Sequence, residues 1–429
     1  MSLTTEIENH WFTKARYGLF IHYGLYSLLG KGEWAWNREG IPFEEYKGLA
    51  QQFRAEEFDA KALCLFAKEM GMRYVVLTTM HHEGFRLYPT TLSDFHIGKT
   101  PAAGRDLVQE LIDAAREQGL RVGLYHSLNN WYDQPDAVAA LEEPEAYERF
   151  IQSTHARIRE LVERYQPIDM LWYDGWWPFN AEGWKAEEMN AMVRKIQPDI
   201  LFNGRNGLPG DFATPEGHLS APKPWRPWEG CMTLNNNWGF HQGDQEWKSA
   251  GQVIDYLISC AQGNGNLLIN VGPQGSGLIP WGSREVLTQV GNWLKINGEA
   301  IYDTELFSYD LQEKGEHRGE WSHHGAFTVK GNDLYWNIRR WPGGTTIGFD
   351  GLQCQVLEAR ILGSEEPLEF TQEGRRIVFR ELPLQAPNEL CTVIKIKCDA
   401  LPVIYLTGGL TVPSVPHPHY DPCPSDIAH

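Results

Sequence analysis

The chain has 429 residues, more than one compact core usually organises, which leaves room for a barrel-sized domain and a smaller companion. Its formal net charge is −18 with histidine neutral, so neither nucleic acid nor an anionic membrane is expected as a partner, because both would be repelled. Charged and apolar contents are ordinary, but 17 Trp, 17 Tyr and 18 Phe supply many flat rings, which suit the C–H faces of a neutral sugar as well as they fill cores.

The N-terminal "MSLTTEIENHWFTKARYG" lacks the basic start and apolar run of a secretory signal, and no stretch approaches the roughly 20 apolar residues of a membrane span, so the cytoplasm is the expected location. Next come alternating short apolar runs and charged, helix-period segments. The runs are "YGLFIHYG" (17–24), "RYVVLTTM" (73–80), "RVGLYHS" (121–127), "IDMLWYD" (168–174), "DILFN" (199–203) and "NLLINVG" (266–272). Between them, "AEEFDAKALCLFAKEMG" (55–71), "RDLVQELIDAAREQG" (105–119) and "EAYERFIQSTHARIRELVERY" (145–165) read as helices. In the second, Leu107, Leu111, Ala114 and Ala115 recur at helical spacing and Gly119 stands as a terminator. Strand–helix repetition with strands apolar on both faces predicts a parallel sheet.

A doubly wound sheet would satisfy that pattern too. The barrel is favoured by where the reactive side chains fall: His22, His81, His82, Tyr125, Asp174 and Arg205 all sit at or just past strand C-terminal ends, the rim on which barrel enzymes build their sites. No G-x-G-x-x-G follows the first strand, and fewer than eight clean strands can be counted, so the prediction is α/β, an irregular (β/α)8-like TIM barrel. "GNGNLLINVGPQGSGLIP" lacks the G-K-[ST] ending of a phosphate cradle and is read as a tight rim turn.

After residue 302 the pattern changes to alternating runs separated by turns, such as "GAFTVKG", "DLYWNIRR", "RRIVFREL" and "LCTVIKIKC". This predicts a C-terminal antiparallel β-sandwich. The expected units are a catalytic barrel over 1–302, a sandwich over 303–412 and a proline-rich tail over 413–429. Seven cysteines without C-x-x-C spacing suggest neither a disulfide framework nor a zinc site. A homo-oligomer is compatible with the sequence.

The chemistry centres on "IDMLWYDGWW" (168–177). A lone Asp-Gly at a strand end more often starts a turn. Here alternation places Met170, Trp172 and Asp174 on one face, so a barrel interior would bring the carboxylate to the rim above a tryptophan. Glycoside hydrolysis needs a second acid. Glu216 and Glu229, in the Pro- and Trp-rich loop 210–240, and Glu33 in "KGEWAW" are candidates that spacing alone does not separate. His22, His81, His82 and Asp174 resemble a barrel metallohydrolase in residue type. Those enzymes show H-x-H where this chain has "FIHYG", so neither metal nor cofactor is expected, and neutral imidazoles bonding sugar hydroxyls are the simpler reading.

Taken together, "YGLFIHYGLYS", "GEW", "TTMHHEGF", "LWYDG", "TPE", "WEGCMTLNNNWGF" and "GNGNLLINVGPQGSGLIP", in this order over residues 11–302, resemble family 29 of the glycoside hydrolases, the α-L-fucosidases. The resemblance implies a retaining, metal-independent exo-acting enzyme with an irregular barrel and a C-terminal β-sandwich, acting on a fucosylated oligosaccharide or glycoconjugate. It implies Asp174 as nucleophile and Glu216 as acid/base, while Glu229 matches a position proposed for that acid in other members. His22, Glu33, Trp34, His81, His82, Tyr125, Trp172 and Arg205 match the fucose-binding set, Glu229 is counted with it if it is not the acid, and Trp238 matches an aromatic position beside the sugar's methyl group. Gly204 stands where an acidic residue can precede the arginine in relatives. Two other readings stay open: an exo-glycosidase for a related sugar such as α-L-galactose, and a catalytically silent sugar-binding protein.

Overall fold

The computed structural model describes residues 10–307 and 324–404; the tail expected over 413–429 lies outside the described residues. Seven parallel strands form one curled sheet in the order β5-β4-β3-β2-β1-β7-β6. They are β1 (Tyr17–Ile21), β2 (Tyr74–Met80), β3 (Arg121–Ser127), β4 (Met170–Asp174), β5 (Leu201–Phe202), β6 (Glu229–Thr233) and β7 (Asn266–Val271). Six longer helices flank it: α1 (Ala60–Glu69), α2 (Leu107–Glu117), α3 (Pro144–Arg164), α4 (Ala186–Ile196), α5 (Ala250–Gln262) and α6 (Trp281–Asn297). The helix ends have local causes, of which Gly119 is the one expected from the sequence. Asp59 and Asp106 accept from backbone N–H groups at the starts of α1 and α2, satisfying donors that the first turn leaves unpaired. Gly119 follows α2 at φ 69°.

Side chains alternate across the sheet and build two cores. Leu19, Ile21, Val75, Leu77, Leu124, Leu171, Tyr173, Leu267 and Ile269 pack outward beneath the helices. Phe20, Tyr74, Val76, Tyr125, Met170, Trp172, Cys231 and Leu268 point inward and fill the sheet's hollow with Phe12, which enters from the N-terminal end. Met170 and Trp172 therefore share the inner face, with Asp174 at its top, as alternation in "MLWYD" requires.

The sheet's two edge strands, β5 and β6, are joined by a segment that is not itself a regular strand. Residues 211–217 bridge to β5 through Asn203 and Phe212, and to β6 through Ala213 with Trp228 and Glu216 with Cys231, all parallel. Asp211 N donates to Phe202 O at 2.7 Å, and Cys231 N donates to Pro215 O at 3.0 Å. The barrel is thus closed by "DFATPEG", whose proline cannot donate to a ladder. The whole stretch 210–240, expected as loop, contains both this closing segment and β6. Its proline-interrupted pattern hides strands whose pairing is set by neighbours distant in sequence.

The C-terminal unit packs a four-stranded antiparallel sheet, order β11-β14-β9-β8, with a three-stranded one, order β10-β13-β12. Its strands are β8 (Gly325–Lys330), β9 (Asp333–Ile338), β10 (Ile347–Phe349), β11 (Val356–Ile361), β12 (Phe370–Glu373), β13 (Arg376–Phe379) and β14 (Thr392–Cys398). It has a core of its own around Trp336, Ile377, Phe379 and Ile394. Bonds from Trp293 Nε1 to Cys391 O (2.8 Å) and from Gln262 Nε2 to Phe327 O (3.0 Å) tie it to α6 and α5, on the barrel's outer wall.

Candidate active site

Asp174 ends β4 at the rim with 9% of its surface exposed. The chain leaves the strand through Gly175 at φ 65°, where a Cβ would lie 2.5 Å from Ser127 Oγ and 3.2 Å from His82 Nδ1. Only glycine turns here without driving a side chain into the site. Tyr125, from the neighbouring β3, donates its hydroxyl to Asp174 Oδ2 at 2.8 Å, and Arg205 Nη1 donates to Oδ1 at 3.1 Å. Burial pushes the Asp174 carboxyl up, but the Arg205 guanidinium and the Tyr125 hydroxyl outweigh it and hold it below the usual carboxylate range. It is an ionised carboxylate kept short of water, with its charge facing the opening.

The same guanidinium reaches the second acid. Arg205 Nη2 donates to Glu216 Oε2 at 2.6 Å, while Nε donates to Thr214 Oγ1 at 3.2 Å, so the arginine docks the closing segment against the β4 end. Asp174 and Glu216, far apart in sequence, become neighbours on adjacent nitrogens of one side chain. Burial opposes the charge on Arg205, but Asp174, Cys231 and Glu216 raise its pKa above the ordinary value, so the bridge is permanently cationic. The Glu216 side chain is 44% exposed, and its partner is Arg205. Gly204 has a local reason: a Cβ there would meet Pro209 O at 2.9 Å and Leu208 O at 3.1 Å, so a larger side chain would not fit this loop.

Three imidazoles line the opposite wall. Asn270 Nδ2 donates to Trp238 O at 2.7 Å, which leaves its Oδ1 facing His22 Nδ1 at 2.6 Å. His22 Nδ1 therefore carries the proton, and Nε2 presents a lone pair. Burial lowers the His22 pKa to about 3, so the ring is neutral. Ser127 gives its hydroxyl proton to Asn129 O and so accepts from His82 Nδ1 at 2.7 Å. His82 Nε2 then lies 3.7 Å from Asp174 Oδ2, beyond hydrogen-bond reach. His81 stacks on Tyr125 at 5.6 Å and 9°, and burial drives its pKa well below the ordinary value; the His82 pKa is lowered by burial as well. Glu33 accepts from Gly239 N at 2.8 Å, and burial raises its pKa. Trp238 lies against His22 at 5.2 Å, and Trp34 against His82 at 5.3 Å.

The sequence-predicted residues thus converge, with one exception. Glu229 opens β6, at the N-terminal end of the barrel, with no exposed surface. Its carboxylate accepts from Tyr74 OH and, at 2.9 Å, from Trp172 Nε1. Trp172, 1% exposed, separates it from the rim. Glu229 is therefore beneath the pocket, not in its wall; reading it as part of a rim loop put it at the wrong end of a strand. Conversely, Asn270 and Ser127, which set the tautomers of His22 and His82, were missed. The only signal for Asn270 was a polar residue inside the apolar run "NLLINVG". Among the described residues no group of three or more His, Cys, Asp or Glu is arranged to hold a metal ion.

The chain as a whole has known counterparts. The family model described as alpha-L-fucosidase matches residues 1–299. The chain belongs to the α-L-fucosidase family. It is 30% identical over 419 residues to the tissue alpha-L-fucosidase of Rattus norvegicus, covering 90% of this chain and 88% of the relative. Among solved structures it resembles alpha-L-fucosidase isoenzyme 1 from Paenibacillus thiaminolyticus, with a TM-score of 0.81 and 35% identity over 91% of this chain and 98% of that one. It also resembles an alpha-L-fucosidase from Bacteroides thetaiotaomicron trapped as a covalent intermediate with 2-fluoro-fucosyl fluoride, with a TM-score of 0.80 and 27% identity over 91% and 95% of the two chains. The family's architecture, a curled parallel sheet with flanking helices followed by antiparallel sheets, is the one described above.

Proposed function

We propose that this chain is an exo-acting, retaining α-L-fucosidase that works by double displacement. The observation that carries the reading is Arg205: one buried guanidinium binds Asp174 at the floor of a histidine- and tryptophan-lined pit and Glu216 at its lip. In retaining glycosidases an ionised nucleophile is paired with a proton donor whose carboxyl group lies about 5–5.5 Å away.

In the first step Asp174 attacks C1 of the fucosyl ring, the bond from C1 to the leaving oxygen breaks, and Glu216 gives that oxygen its proton. In the second, Glu216 takes a proton from water, the water oxygen bonds to C1, and the ester to Asp174 breaks. Arg205 and Tyr125 hold Asp174 ionised and oriented before attack, and the exposure of Glu216 lets it meet a leaving group and then water. Fucose asks for hydroxyl contacts on one side and an apolar wall for its methyl group on the other. The neutral rings of His22, His81 and His82 with Glu33 supply the first, and Trp238 the second. Because these polar groups are buried, a sugar lacking a matching hydroxyl would leave them unpaired, which is costly enough to enforce one terminal sugar.

Incubation with 2-fluoro-fucosyl fluoride followed by peptide mass mapping tests the reading. The expected result is one added fluorofucosyl group on the peptide containing Asp174, together with a loss on the order of 10⁴-fold in turnover of an aryl α-L-fucoside by Asp174→Ala. A label on another peptide, or near-normal turnover by that variant, would overturn the assignment. Faster hydrolysis of the α-L-galactoside than of the α-L-fucoside would instead shift the sugar.

A further inference from the structure

The loop after β4 carries two tryptophans that the chemistry above does not use. Trp176 and Trp177 are 38% and 41% exposed, a costly place for large apolar rings, yet the backbone that presents them is pinned. Trp184 Nε1 donates to Trp176 O at 2.5 Å, and Trp184 itself is fully buried against Phe150 and Phe179. Asn129 Nδ2 donates to Trp177 O at 3.4 Å. The two rings stand 5.6 Å apart at 73°, an open corner rather than a stack.

The position of that corner gives it meaning. Arg205 Cζ lies 5.5 Å from the Trp176 ring and 4.7 Å from Trp172, and the same guanidinium holds Glu216. Trp176 and the proposed proton donor thus flank one guanidinium, and a proton donor acts where the leaving group departs. Trp177 meets His82 edge-on at 5.1 Å and lies within 20° of parallel to Trp34 at 6.2 Å, so the corner continues the wall of the fucose pocket outward. Polar groups adjoin it: Asn129 bonds the Trp177 carbonyl, and the guanidinium near the Trp176 ring carries Thr214 and Glu216. An apolar floor with a polar edge matches a pyranose, which has a C–H face and a hydroxyl rim. An alkyl chain would cover the rings but leave the polar edge unmatched.

We infer that Trp176 and Trp177 form a leaving-group subsite for a pyranose, so that the preferred substrates are fucosylated oligosaccharides in which the next sugar stacks in this corner. This rests on the fucosidase reading, and the test separates the two. Values of kcat/KM are compared for α-L-fucosyl fluoride, which has no leaving sugar, and for a panel of fucosyl disaccharides differing in linkage. The variants are Trp176→Ala, Trp177→Ala and the conservative Trp176→Phe. On at least one linkage that the wild type cleaves, each alanine variant is expected to lose about tenfold or more beyond its loss on the fluoride, and the phenylalanine variant to recover most of that difference. Equal losses on both substrate types, no loss on the disaccharides, or a wild type that cleaves the fluoride but no disaccharide would overturn the subsite. A wild type inactive on the fluoride itself would overturn the fucosidase reading instead.

Discussion

Glu229→Gln probes the barrel floor through the proton that Glu229 holds. Burial pushes this carboxyl from 4.5 up to about 7, with Tyr74, Trp172 and Arg205 restraining the shift. Below pH 4.5 both the folded and the unfolded chain carry the proton. Between 4.5 and 7 the unfolded chain releases it while the folded chain keeps it, so stability falls as pH rises, by about 1.4 kcal/mol per unit. Above 7 the loss is complete, at about 3 kcal/mol. Glutamine cannot titrate and escapes that loss. It also puts the bulkier amide N–H₂ in the place of the carboxyl O–H between Tyr74 and Trp172, at a pH-independent cost of about 1–2 kcal/mol. The variant should therefore be less stable than the wild type at pH 4.5 and more stable at pH 8, with the crossing near pH 6. Urea unfolding at fixed ionic strength, followed by tryptophan fluorescence across that range, measures it. Parallel stability curves would show that Glu229 does not retain its proton, and the account of the floor would fail.

Three further outcomes are expected. Glu216→Gln should leave hydrolysis nearly intact for a fucoside whose leaving group has a low pKa, yet lose about 10²- to 10⁴-fold for a poor one, with azide restoring turnover as fucosyl azide of retained configuration. Uniform losses across leaving groups would remove Glu216 as the proton donor. Tyr125→Phe deletes a hydrogen bond to an ionised carboxylate, so kcat/KM should fall about 10- to 100-fold and the acid limb of its pH profile should move upward, because a group that holds the Asp174 pKa down is gone; an unmoved limb would contradict this. Gly175→Ala places a Cβ at positive φ against Ser127 and should cost about 1–3 kcal/mol, read as a lower Tm; wild-type stability would show that the turn relaxes.

Sequence alone determined the parts of this protein that obey short-range rules. A period of two in "MLWYD" assigns Trp172 and Asp174 to one face whatever surrounds the strand, and Asp106 and Gly119 bound α2 by satisfying or ending its own hydrogen bonds. The rim histidines follow from the same logic, since a polar residue at the end of an apolar parallel strand has few places to go but the C-terminal mouth. The tertiary structure decided what depends on pairing across the chain. Residues 211–217 act as a barrel stave only because β5 and β6 stand on either side, and nothing in "DFATPEG" announces it. Glu216 reaches the lip and Glu229 the floor through opposite ends of neighbouring staves, so two glutamates thirteen positions apart meet water on one hand and Trp172 on the other. Distance along the chain carries no information about that choice. Closure of the sheet does, because it fixes which end of each strand faces the ligand and which single arginine can hold both acids.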